Sequence, residues 1–130
     1  MTQQQGTYAL YLFAETSGNI GIGKLGMFHF AKGYYVYVGS AFGPGGIRAR
    51  LGRHLSDNKT QRWHIDFLRA HTEPVKYVIA PEKRLEHVWA NELAQRNAAS
   101  MPVTGFGSSD CRCTSHLFFS AELDDLLLTP

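Results

Sequence analysis

Apolar residues fill both faces of the first regular stretch, Gly6-Thr7-Tyr8-Ala9-Leu10-Tyr11-Leu12-Phe13. Tyr8, Leu10 and Leu12 alternate with Ala9, Tyr11 and Phe13, which predicts a central strand. Ser17-Gly18-Asn19 turns the chain into a glycine-weakened second strand from Ile20 to Lys24, and Gly26 to Ala31 alternates as a third. Lys32-Gly33 then reads as a hairpin turn. Its partner strand is Tyr34-Tyr35-Val36-Tyr37-Val38-Gly39-Ser40-Ala41-Phe42, an aromatic and β-branched run that Gly43-Pro44-Gly45-Gly46 forbids to continue.

From Ile47 the period becomes helical. Ile47, Leu51 and Leu55 form an i, i+4, i+8 stripe, bordered by Arg50 and His54, with Arg53 directed outward. A second helix is predicted over 59–70 with Trp63, Phe67 and Leu68 inward, and a strand over 74–80. Pro81 and Glu82 suit the start of a third helix running to about Asn97. A loop over 100–116, a strand over 117–120 and an acidic turn or tail over 121–128 complete the chain. Together these elements predict a small α/β (α+β) fold, with a mostly antiparallel central sheet flanked by about three helices. The chain reads as one domain over 1–130, with 6–97 as its core and 98–130 as a C-terminal loop, strand and tail.

The third helix carries an anomaly. Its apolar face is Trp89, Ala90 and Leu93, and Glu86 falls on that face one turn before Ala90. An inward carboxylate is costly unless it is paired, hydrogen-bonded or bound to metal. Two readings follow: a carboxylate salt-bridged to an arginine of the first helix or set at the edge of the face, or one with a metal-binding or catalytic role.

Composition narrows the class. The 130 residues carry a net charge of +2, with 44% hydrophobic and 18% charged side chains, as in a soluble globular domain. No apolar run approaches the about 18 residues of a membrane span, and Met1-Thr2-Gln3-Gln4-Gln5 lacks the pattern of a signal peptide, so a cytoplasmic location and no membrane partner are expected. Charge placement says more than the total. Arg48, Arg50, Arg53, Lys59, Arg62 and Arg69 crowd one segment against Asp57 and Asp66, with His54, His64 and His71 interleaved. Such a segment is either a solvated helix face or a polyanion-binding patch. Cys111 and Cys113 stand too close for an unstrained disulfide and are expected reduced. With His116 they form Cys-x-Cys-x-x-His, which lacks a fourth zinc ligand and the usual Cys-x-x-Cys spacing, so a loop closing over the core or cleft is the preferred reading.

Gly6-Thr7-Tyr8 and Tyr37-Val38-Gly39 resemble the two half-motifs that name the GIY-YIG nuclease superfamily, with Thr7 and Val38 in place of the usual isoleucines. The order continues to match in Arg50 on the following helix, His54 one turn later, and Glu86 on a later helix. Glu86-His87-Val88-Trp89-Ala90-Asn91-Glu92-Leu93 is similar to the metal-glutamate helix of homing endonucleases and of the nucleotide-excision-repair incision subunit. Gly105-Phe106-Gly107-Ser108-Ser109-Asp110-Cys111-Arg112-Cys113, Ser115-His116-Leu117-Phe118 and Arg62-Trp63-His64-Ile65-Asp66 resemble an uncharacterised prokaryotic branch of that superfamily. The interval from Tyr8 to Tyr37 exceeds the roughly ten residues usual there. Residues 20–31 are therefore read as an extra hairpin strand inserted between the half-motifs.

The resemblance implies a metal-dependent endonuclease hydrolysing DNA phosphodiester bonds, with roles in repair or recombination. Glu86 would hold one divalent cation, Mg²⁺ or Mn²⁺, and Arg50 would bind the scissile phosphate. Tyr8 would accept a proton from the attacking water, Tyr37 orient that water, and His54 or His64 donate a hydrogen bond. A free phenol has a pKa near 10, so this role for Tyr8 needs neighbours that favour phenolate. Tyr8 and Tyr37 also have a bland reading, as core strand aromatics. Arg48, Arg53, Lys59, Arg62 and His64 would contact substrate. The expected partner is DNA, branched or damaged, with a further protein supplying specificity as an alternative. Two rival functions remain open at this point: a nucleic-acid-binding module without turnover, and a partner-docking domain.

Overall fold

The computed structural model describes residues 4–56, 63–106 and 115–130. Its centre is a four-stranded sheet in the order β5-β1-β4-β6, every adjacent pair antiparallel. The strands are β1 (Gly6–Ala14), β4 (Gly33–Ala41), β5 (Glu73–Pro81) and β6 (Leu117–Ser120). β1 lies between β5 and β4, as its two apolar faces require. The pleat sends Tyr8, Leu10 and Leu12 into one core and Ala9 and Tyr11 into the other. Helices α1 (Gly46–Leu55) and α2 (His64–Arg69) cover the first face through Ile47, Leu51, Ile65 and Leu68. Helix α3 (Glu86–Ala94) and a 3-10 turn over Leu123–Leu126 cover the second through Trp89, Ala90, Leu93 and Leu126. The fold is the small α+β arrangement expected, a mostly antiparallel central sheet with three helices.

Two buried tyrosines satisfy their hydroxyls on backbone carbonyls. Tyr11 donates to Leu126 at 2.8 Å and Tyr35 to Ala31 at 2.6 Å. Burial pushes both phenols up to about 12.

Local readings fail in several places, the second strand among them: it spans Gly18–Gly21, and Gly23–Leu25 forms a 3-10 turn. The alternating stretch before Lys32-Gly33 does not pair with the tyrosine strand. β3 (Met27–Phe30) pairs with β2 (Gly18–Gly21) as a separate two-stranded ribbon. β4 has no free edge for it, since β1 matches it from Gly6↔Ala41 to Ala14↔Gly33 and β6 from Tyr34↔Ser120 to Tyr37↔Leu117. Leu55, expected in the core, is 38% exposed in the last turn of α1. α2 begins at His64, and the rest of the 59–70 reading falls mostly outside the described residues, which resume at 63. α3 begins at Glu86 rather than Glu82: Glu82 takes φ of 61° and residues 82–85 turn instead of coiling. Among the described residues, no helix is long and apolar enough to cross a membrane.

Candidate active site

The β1–β4 register sets Tyr8 opposite Gly39 and Leu10 opposite Tyr37, so both phenols stand on one face of the sheet. Their ring centroids are 6.4 Å apart. Gly39 makes this arrangement possible, because a Cβ there would overlap Tyr8 Oη and Cζ. After β4 the chain must reverse sharply into a helix. Gly45 and Gly46 adopt φ of 88° and 62°, which only glycine takes without strain, and a Cβ on Gly46 would strike the Gln4 carbonyl. The helix launched there presents Arg50 and His54 one turn apart.

His54 is fully buried, and its Nε2 lies 2.7 Å from Tyr8 Oη. Its ring stands edge-on to Tyr37, centroids 5.8 Å apart, and to Trp63 at the same distance. Arg50 stands near enough to Tyr8 to oppose the rise in its pKa and holds its guanidinium 4.8 Å above the Trp63 ring. Tyr8 Oη thus feels a nearby cation and sits within proton-transfer reach of an imidazole.

Glu86 arrives from the layer on the opposite face of the sheet. It opens α3, where a carboxylate is favoured by the helix dipole. What fixes that opening is Thr7, a fully buried residue of the central strand. Its hydroxyl donates to the Lys83 carbonyl at 2.7 Å and accepts from the Leu85 N–H at 2.8 Å, so the turn before Glu86 is pinned to β1. The Glu86 side chain is 21% exposed, and the ring nitrogens nearest to it are loose partners: His116 Nδ1 at 3.8 Å and His87 Nε2 at 3.9 Å. Among the described residues no arginine pairs with it; the carboxylate lies at the edge of the apolar face, as one of the two bland readings has it.

The charges in the site act on both phenols. Burial raises Tyr8 well above its usual value, Tyr37 and Glu86 add to the rise, and Arg50 opposes it. Tyr37 is likewise raised, by burial first and Glu86 second, again against Arg50. The requirement for a phenolate at Tyr8 is therefore not met by the protein's own groups: both tyrosines are neutral phenols near neutral pH.

Tyr8, Tyr37, Arg50, His54 and Glu86 converge, coming from four segments. The expected substrate contacts divide. Arg53 does not point freely outward; its Nη2 binds Asp66 Oδ2 at 2.7 Å and its guanidinium lies 4.7 Å over Trp63. Asp66 is fully buried and also accepts the Trp63 N–H at 2.8 Å, which starts α2. Arg48 is exposed on another side of α1, where it lines an open groove of about 880 Å³ with Leu55 and Tyr77, not the phenol cluster. His64 packs on Phe106, which in turn touches Tyr37, and burial lowers its pKa. Lys59, Arg62, Asp110, Cys111 and Cys113 lie outside the described residues. His116, which the sequence groups with those cysteines, stands beside Glu86. Thr7, read only as a departure from a motif, anchors the glutamate turn; the available signal was a hydroxyl at a buried position of a central strand, which must find a partner.

Neither the curated proteins nor the solved structures compared with the chain include a match. A family model does match, over residues 7–129, from the strand that bears Tyr8 to the C-terminal tail. The chain accordingly belongs to the family described as domain of unknown function DUF123.

Proposed function

We propose that this domain is a metal-dependent phosphodiesterase of the GIY-YIG type that cleaves DNA. One observation carries the reading: a buried phenol, Tyr8, bonded to His54 Nε2, stands in the electrostatic range of Arg50, of Tyr37 and of the partly open Glu86 carboxylate. A structural core has no use for a guanidinium, an imidazole and a carboxylate gathered around two phenols.

The donor set fits a hard cation. Among the described residues no group of three or more His, Cys, Asp or Glu side chains could hold a metal, which leaves Glu86 as a single carboxylate without a tight internal partner. Mg²⁺ is content with one carboxylate, waters and substrate phosphate oxygens, and Mn²⁺ substitutes for it. When bound, the ion supplies counter-charge to the phosphate and the departing oxygen. Arg50 grips the scissile phosphate with its planar fork. Because Tyr8 is neutral, it works as a relay: it takes a proton from the attacking water while its own proton passes to His54 Nε2. No phenolate accumulates, and the positive charge ends on His54. Tyr37 orients the water by a hydrogen bond.

Plasmid nicking and cleavage of labelled duplex, nicked and forked DNA with Mg²⁺ test the proposal. Glu86→Gln should abolish cleavage and retain DNA binding, and Tyr8→Phe should lower the rate by about 10²-fold or more, the scale of a lost proton-transfer group. Wild-type protein that binds these DNAs but cleaves none with any divalent ion would refute it in favour of a binding module.

A further inference from the structure

Arg84 belongs to none of the roles above. Its backbone is fixed on both sides, since the Lys83 carbonyl and the Leu85 N–H are the two partners of the Thr7 hydroxyl. Its guanidinium lies over the Phe42 ring, Cζ 3.8 Å from the centroid. Phe42 is itself held, its carbonyl accepting from Gln5 Nε2 at 2.9 Å. The next residue, Gly43, faces the catalytic arginine: a Cβ there would sit 3.9 Å from Arg50 Nη2. Arg84 also lies two residues before Glu86. The Arg84–Phe42 pair therefore borders the site from two directions at once, through the glycine turn and through the glutamate turn.

Three other arginines spend donors inside the protein. Arg53 pairs with Asp66, Arg96 with Glu92 and the carbonyls of Asp125 and Leu127, and Arg69 donates to Thr72. Arg84 is exposed and makes no hydrogen bond or ion pair among the described residues. A ring beneath a guanidinium immobilises it and covers one face, while leaving the in-plane N–H donors open to solvent. That is a cation presented to an external anion.

We propose that Arg84, braced on Phe42, is a second phosphate anchor of this site, binding the nucleic-acid backbone at a phosphate neighbouring the one gripped by Arg50. The proposal rests on the nuclease reading. A fork held in plane suits phosphate oxygens, and the chemistry recognised is the phosphodiester backbone rather than a base, so the contact carries no sequence preference.

Fluorescence anisotropy with a labelled forked DNA, over a salt series and in the Glu86→Gln background to prevent cleavage, tests it. Arg84→Gln should weaken binding about tenfold and lower the salt slope by about one, the signature of one lost phosphate contact. Phe42→Leu keeps the charge and removes the brace, so it should weaken binding with the slope unchanged. In the cleaving protein both variants should raise KM and leave kcat near wild type. Lys76→Gln, on the edge strand β5, is the control and should change neither quantity. A wild-type slope in Arg84→Gln, with the parent clearly salt-dependent, overturns the anchor and spares the nuclease reading. An absence of salt-dependent binding in the parent overturns both. Circular dichroism confirms that each variant is folded, and Phe42→Leu decides the matter alone if Arg84→Gln is not.

Discussion

Replacing Thr7 by valine removes one oxygen from the middle of the sheet and separates the turn before Glu86 from the strand beneath it. Valine keeps the β-branch and nearly the volume, so strand pairing and packing around residue 7 are retained. The loss falls on two backbone groups, the Leu85 N–H and the Lys83 carbonyl. A buried donor left without an acceptor costs about 1–3 kcal/mol. Lys83 is exposed, so water can take over its carbonyl, and the net penalty should be about 2 kcal/mol. For a domain of this size that is a fall of about 5–10 °C in Tm. Helix α3 itself should survive, because Trp89, Ala90 and Leu93 remain buried against the sheet. What loosens is its first turn, and with it the carboxylate. Outer contacts that orient a metal ligand are commonly worth 10- to 100-fold in metal affinity, so on the proposed nuclease reading the Mg²⁺ concentration for half-maximal cleavage should rise about tenfold. Thr7→Ser restores the hydroxyl and should recover most of both effects. Thermal unfolding by circular dichroism and an Mg²⁺ titration of cleavage are the assays. A Thr7→Val protein with unchanged Tm and unchanged Mg²⁺ requirement, or a serine variant as impaired as valine, would refute the clamp.

Gly39→Ala should cut cleavage by about 10²-fold with the fold intact, because the new Cβ displaces Tyr8 from His54; a variant with wild-type kcat would show that the phenol's position is not critical. Asp66→Ala should cost about 2–3 kcal/mol in urea unfolding, since it strands Arg53 and uncaps α2, and Asp66→Asn should recover part of the loss. The Arg53 side chain is 27% exposed and can turn to water, which keeps the cost below that of a fully trapped charge. At alkaline pH, Tyr8, Tyr11, Tyr35 and Tyr37 all hold their protons above the unfolded value near 10. Stability is thus complete below pH 10 and falls above it by about 1.4 kcal/mol per pH unit for each, or about 5.6 for the four, so unfolding should be cooperative between about pH 11 and 12. Tyrosinate absorbance that rises fully near pH 10 while far-UV circular dichroism stays native would contradict the burial assigned to these phenols.

How much of this was legible beforehand depends on whether a residue's partner lies within one turn or one pleat of it. Alternation in β1 gave its central place, since both faces are apolar within eight consecutive residues. The 3.6-residue period put Arg50 and His54 on one border of α1, and the same period set Glu86 on the side of Trp89 and Leu93, where the structure leaves it at the edge, partly open. Where the deciding partner is far along the chain, the local pattern misled. β3 alternates as a hairpin arm would, yet β4 is already bonded along both edges by β1 and β6. Arg53 lies off the apolar stripe, and nothing near it in sequence announces that Asp66, thirteen residues on, will hold it. The start of α3 is the clearest case. Pro81 and Glu82 are good first-turn residues, but a helix beginning there would need Lys83 and Leu85 in coiled conformation, with the donor and acceptor they give to Thr7 redirected along the axis. A hydroxyl buried in the central strand has nowhere else to bond, so it captures both groups and delays the helix by four residues. That delay places Glu86 in the first turn, partly open to solvent and beside His116, instead of a full turn inside a longer helix where its carboxylate would face the packed hydrocarbon of Trp89 and Leu93.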